Sequence, residues 1–165
     1  MCAVVALAAA CGGASASPPP GVSSVPARGP VEFAFESLDA RPVTSDATRG
    51  KPTVLVFVTT GSLHAQAQVD FVLAMARNDG GRVNYALVGL ERRDSRELVE
   101  LYAKALSVRF PVAMADEQTL AGEGAFGDVS VVPVTVVLDR AGRVVWRVDG
   151  RVARSEEIRG AMRGL

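Results

Sequence analysis

The apolar positions along this chain change period several times, and each change predicts an element. VEFAFESL, residues 31–38, alternates apolar and polar positions, which predicts a half-buried strand at a sheet edge or in a hairpin, with Val31, Phe33 and Phe35 on one face. TVLVFVT, residues 53–59, is an unbroken β-branched and aromatic run, the pattern of a central strand covered on both faces. From Ser62 onward Val69, Val72, Leu73 and Ala76 recur at helical spacing, and Asn78-Asp79-Gly80-Gly81 ends that helix. RVNYALVGL, residues 82–90, predicts a second strand. Asp94 and Glu97 have the spacing of a capping box, ahead of a helix whose apolar face would be Leu98, Leu101, Tyr102 and Ala105.

Residues 110–114 predict a short strand and 117–124 a short helix. Residues 134–138 and 143–148 are strands joined by Asp139-Arg140-Ala141-Gly142, a turn short enough to force antiparallel pairing. Val144, Trp146 and Val148 alternate along the second of them, so Trp146 reads as sheet-face packing rather than a ligand platform. A last helix, capped by Ser155, would bury Ile158, Met162 and Leu165. The β-α-β-α order implies parallel strands with crossover helices, and the closing hairpin makes the sheet mixed. The expected fold is α/β: a central mixed sheet flanked by helices, an N-terminal strand or hairpin, and a β/α insertion before the hairpin.

Ahead of this domain, GGASASPPPGVSSVPARGP, residues 12–30, has little to bury and is punctuated by prolines, as a mobile tether would be. MCAVVALAAAC is apolar but too short to span a bilayer as a helix. It fits the apolar part of a signal peptide, with Ala8, Ala9 and Ala10 at the cut, although a basic leader is missing. Because cysteine follows the cut, the segment resembles a bacterial lipoprotein signal with Cys11 as the lipid-bearing residue. The expected division is a signal peptide at 1–10, a lipidated tether at 11–30 and one domain at 31–165. Gly12 does not resemble the aspartate that retains some lipoproteins at the inner membrane, which favours a periplasm-facing outer-membrane position. The competing account is a soluble protein with an apolar N-terminal stretch.

Eighteen lysines and arginines balance eighteen aspartates and glutamates, so no net field recruits nucleic acid. The interleaved Arg92, Arg93, Arg96, Arg109, Glu91, Asp94 and Glu97 read as a solvated, ion-paired face. Cys2 and Cys11 are the only cysteines and His64 the only histidine. The folded body therefore has no disulfide and no cysteine-rich or multi-imidazole metal site, and no cofactor is expected.

Several stretches resemble, in order and spacing, the exported TlpA/ResA-like thioredoxin family, related to the AhpC/TSA group. Arg49-Gly50-Lys51-Pro52 before VLVF is similar to that family's Gly-Lys-Pro approach to the central strand. Phe110-Pro111-Val112 with Asp116 resembles its Phe-Pro-Val segment, and FGDVSVVPVTVVLDRAGRVV, residues 126–145, its run into the terminal hairpin. The resemblance implies a thioredoxin fold, with Pro133 as the cis-proline beside the active site.

It also implies a Trp-Cys-x-x-Cys at the start of the first long helix, where the helix dipole and free amides stabilise a thiolate. Here Gly61 takes the tryptophan position, Ser62 the first cysteine and Ala65 the second. Gln68 takes the place of a buried, proton-moving glutamate. Serine cannot replace the thiol, because its hydroxyl is barely ionised and forms no disulfide. The expected protein is a redox-inactive thioredoxin-like envelope lipoprotein. It would bind an extended peptide or protein in a groove of Thr60, Gly61, Ser62, Leu63, His64, Val132 and Pro133, with no catalytic residue and no metal. Within the groove Ser62 would cap the helix, and a Ser62–His64 nucleophile pair is disfavoured because that spacing does not share a helical face. The exposed helix start could hold an anion only as a weak, generic site. The alternatives are the thiol-disulfide oxidoreductase or peroxiredoxin-like role that homology would assign, working through an external thiol, and a purely structural envelope protein.

Overall fold

The computed structural model describes Val22–Ser23 and residues 29–165. The signal segment, Cys2, Cys11 and the rest of the tether lie outside the described residues. The strands are β1 (Val22–Ser23), β2 (Ala34–Ser37), β3 (Val43–Thr44), β4 (Thr53–Val58), β5 (Asn84–Gly89), β6 (Val112–Met114), β7 (Val134–Leu138) and β8 (Val144–Asp149). The helices are α1 (Ser45–Thr48), α2 (Leu63–Asp79), α3 (Arg96–Ala105), α4 (Glu117–Leu120) and α5 (Ser155–Ala161).

Among the described residues the strands form one mixed sheet in the order β1-β8-β7-β4-β5-β6-β2-β3. Strands β4, β5 and β6 are parallel, as their helical crossovers require. Strand β7 returns antiparallel to β4, and β8 antiparallel to β7. The β2–β3 hairpin extends the far edge through β6. Within the stretch read as tether, Val22 and Ser23 pair with Val148 and Arg147 of β8.

All six residues of β4 are buried, the consequence of a continuous apolar run placed between two layers. On one face Val54, Val56 and Val58 pack with Val69 and Val72 of α2, Val99 of α3 and Ile158 of α5. On the other, Phe57 meets Phe35 and Phe126, and Phe33 packs on those two rings, with the paired ring centroids 5.2–6.1 Å apart. Burial of a phenylalanine contributes about 1.5–3 kcal/mol, so this cluster holds the N-terminal hairpin and the segment after α4 against the sheet. Asp79, at the end of α2, accepts from the Tyr85 hydroxyl and, at 3.0 Å, from Arg159 of α5, which joins three elements. Burial, then the bond to Asp79, pushes the Tyr85 phenol far above its ordinary range.

The α/β fold matches the expected architecture, but several local readings do not hold. In α3 the buried residues are Val99 and Ala103, with Tyr102 and Leu106 half-buried, whereas Leu98 and Leu101 are about half exposed. Two stripes at helical spacing exist in this segment, and the sheet takes the one that includes the β-branched Val99. Asp94 does not cap α3, because a 3₁₀ turn at Arg93–Ser95 precedes the helix. Ser155 is the first helical residue rather than the cap of α5; Glu157 instead accepts from the Arg154 amide at 2.9 Å. In the hairpin a register shift pairs Val137 with Trp146 but Leu138 with Val144. This bulge turns Val144 to the phenylalanine face and leaves Trp146 and Val148 on the helical face, which breaks the expected alternation.

Candidate functional site

Strand β4 ends at Val58, and its partner register sets Phe57 opposite Val134. Continuing that antiparallel register places residues 58–60, which lead into α2, across from the segment 131–133. The site is therefore built where β4 hands the chain to α2, at the carboxyl ends of the parallel strands, the usual location for sites in open α/β sheets.

Ser62 is the N-cap of α2: its Oγ accepts from the Ala65 amide at 3.2 Å. A hydroxyl committed as acceptor to a free amide satisfies one of the donors that a helix start leaves unpaired. Ala65 is fully buried, while Leu63 and His64 are exposed. Neighbouring positions two apart on a helix point to different sides, so the geometry does not assemble Ser62 and His64 into a nucleophile and base. Among the described residues no cluster of histidine, cysteine and carboxylates could hold a metal.

Gln68, one turn further, is fully buried. Its Oε1 accepts from the Ala153 amide at 2.5 Å and its Nε2 donates to the Ala153 carbonyl at 3.3 Å, so the residue pins α2 to the segment before α5. Across the loop, the Val132–Pro133 peptide bond is cis. The Pro133 carbonyl accepts from Gly150 at 2.9 Å, whereas the Val131 and Val132 backbone groups make no hydrogen bond among the described residues. Leu63 is 82% exposed and Val131 62% exposed. The two walls of the groove thus offer apolar side chains and open backbone groups.

Two positions beside the candidate site, Val131 and Glu91, were not among the residues the sequence assigned to it. Val131, which tops the second wall, gave no signal beyond an apolar residue in a loop. Glu91 belonged, by pattern, to a solvated, ion-paired face, yet it turns inward. Its Oε1 accepts from the Thr60 amide at 2.5 Å, and its Oε2 is buried without a partner among the described residues. The Tyr102 hydroxyl is likewise buried and unpaired, and its phenol is pushed up to about 12 by burial first and then by the charges of Asp70 and Glu91. Arg93 and Arg96 are ion-paired, but with Glu36, at 2.9 Å each, and Arg96 also with Glu100 at 2.8 Å, rather than with the interleaved Glu91, Asp94 and Glu97. An acidic residue directly after the last residues of a buried strand was the available clue for Glu91.

A thio-disulfide isomerase from Thermus thermophilus superposes on this chain with a TM-score of 0.64 and 30% identity, over 84% of this chain and 94% of that one. The chain belongs to the thioredoxin-fold thiol-disulfide oxidoreductases. Within this family, a DsbF homologue from Corynebacterium diphtheriae matches 91% of this chain and 97% of its own, with a TM-score of 0.75 at 17% identity. A thiol:disulfide interchange protein from Chlorobium tepidum matches 85% and 97%, with a TM-score of 0.68 at 17% identity. No family model and no curated protein matches the chain. Against this family background Ser62 and Ala65 stand at the start of α2, beside the cis Val132–Pro133 segment, and residues 12–165 contain no cysteine.

Proposed function

We propose that this chain is a redox-inactive member of the family, of the TlpA/ResA-like branch, that binds an extended segment of an envelope protein between Leu63 and Val131. The observation that carries the reading is the pairing of unbonded backbone at Val131 and Val132 with exposed apolar side chains on both walls. An extended segment would bond the open backbone at Val131 and Val132, just before β7, and seat alternate side chains on Leu63 and Val131. Chemistry by disulfide exchange needs a thiolate, and the positions that would supply one hold a hydroxyl engaged in capping and a buried methyl group. A lipid on Cys11 would hold the domain at the envelope, with the tether setting its reach.

The test has two arms. Purified protein is assayed for reduction of insulin disulfides by dithiothreitol, and the expected rate is that of buffer; acceleration would overturn the redox-inactive reading. A photo-crosslinker is placed at Leu63 in the native envelope. A discrete protein adduct that disappears with Val131→Asp supports the groove, whereas labelling no greater than from the exposed position Glu97 would overturn the binding reading and leave a structural role.

A further inference from the structure

A cavity of about 460 Å³ opens at the opposite end of the sheet from the groove, at the amino-terminal ends of β4 and β5. Its size falls within the range of small-molecule sites, about 300–1,000 Å³. Leu73 and Ala76 of α2, Val83 before β5 and Phe110 before β6 give it an apolar wall. Arg41, Lys51, Arg77 and Arg109 also line it, and its lining contains no carboxylate.

The four cations are not equivalent. Arg41 is paired with Asp39 at 2.5 Å and donates to the carbonyls of Arg109 and Phe110, so it is fixed as part of the wall. The Lys51 ammonium donates to the Gly81 carbonyl at 2.8 Å. Arg77 and Arg109, both exposed, take part in no ion pair among the described residues. A neutral apolar guest would fill the wall and leave two guanidinium groups unanswered. A small inorganic anion would answer the charge and leave the apolar wall wet. Only a guest with both properties matches the lining, and a planar carboxylate suits the two-donor fork of an arginine.

We infer that this cavity binds a small amphipathic carboxylate, its hydrocarbon part against Leu73, Ala76, Val83 and Phe110 and its carboxylate bonded by Arg77 and Arg109. The site is separate from the groove and does not depend on what the groove binds.

The test is isothermal titration of the full chain with octanoate, with octanol and acetate as the chain-only and charge-only probes. Saturable octanoate binding is expected, with octanol and acetate each at least about ten-fold weaker. Arg77→Gln and Arg109→Gln should each weaken octanoate about ten-fold, the loss of one charge-assisted contact, without altering the melting temperature. Ala76→Phe should abolish binding by filling the cavity. No saturable heat at millimolar octanoate, equal affinity for octanol, or octanoate binding unchanged in both arginine variants would each overturn the assignment. Because Arg77 and Arg109 are exposed, their variants carry the test even if Ala76→Phe proves unstable.

Discussion

The carboxamide of Gln68 and the backbone of Ala153 form a two-way pair, amide to amide, at full burial. A neutral side chain that both donates and accepts is what this position needs, and glutamine supplies it at every pH. A carboxylate could accept from the Ala153 amide but would face the Ala153 carbonyl without a proton to share.

Gln68→Glu is therefore expected to destabilise the fold at neutral pH by about 2–4 kcal/mol, the cost of a buried charge with an unpaired neighbour. The sign with pH is fixed. The new carboxyl has a folded pKa raised above its ordinary value near 4.3, so the penalty is absent below that value and grows as pH rises through the raised one. Urea unfolding at pH 4 and pH 7 checks this, and an equal loss at both would show that charge is not the cause.

Glu91 makes a different case, a carboxylate with one oxygen satisfied and one not. Glu91→Gln keeps an acceptor for the Thr60 amide and removes a buried charge, so stability should hold or rise by up to about 1 kcal/mol. Glu91→Ala strands the Thr60 amide and should cost about 1–3 kcal/mol. Tyr102→Phe removes a buried hydroxyl without a partner and is expected to be neutral or stabilising. Thermal melts of the three variants measure the order, and a Glu91→Gln loss as large as that of Glu91→Ala would refute the account.

How much of this was legible in the sequence depends on whether a residue's surroundings come from its own segment. The run in β4 and the stripe Val69, Val72, Leu73 on α2 read directly, because burial on two faces or on one leaves its period in the chain. Ser62 as a cap read directly too, since capping is local. The face of α3 did not, because Leu98 with Leu101 and Val99 with Ala103 both fit a helix, and only packing against the sheet chooses. The bulge beside Trp146 was hidden because one extra residue is invisible to an alternating pattern. Gln68 showed as a lost acid, but its partner lies 85 residues away. The cation-lined cavity draws on segments around Arg41, Arg77 and Arg109, and no window of sequence contains all three.

Acid sensitivity should centre on α5. The side-chain bond from Arg151 above all, with the Arg154 amide adding to it, holds the Glu157 carboxyl down at about 2. Its contribution to stability is present above the ordinary glutamate value and is lost as pH falls toward 2. Melting temperature should fall over that window, and Arg151→Gln should flatten the fall while lowering the plateau at neutral pH. An unchanged acid limb in Arg151→Gln would place the sensitivity elsewhere.

Gly150 links stability to the groove. Its φ of +70° lies in the left-handed region, its amide bonds the Pro133 carbonyl, and a Cβ there would stand 2.6 Å from Cγ1 of Val131. Gly150→Ala should cost about 1 kcal/mol from the backbone conformation alone. The clash adds little to that loss, because Val131 is exposed and its side chain can turn away. Turning away, however, removes the apolar top of one groove wall. The expected outcome is a variant that melts only slightly early yet loses most of its crosslinking from Leu63. Combining Gly150→Ala with Val131→Ala separates the two effects: the double variant should melt no lower than the sum of the single losses, since the clash is gone, and its crosslinking should be no weaker than in Val131→Ala alone. If Gly150→Ala instead leaves crosslinking intact, Val131 is not part of the surface that meets the partner.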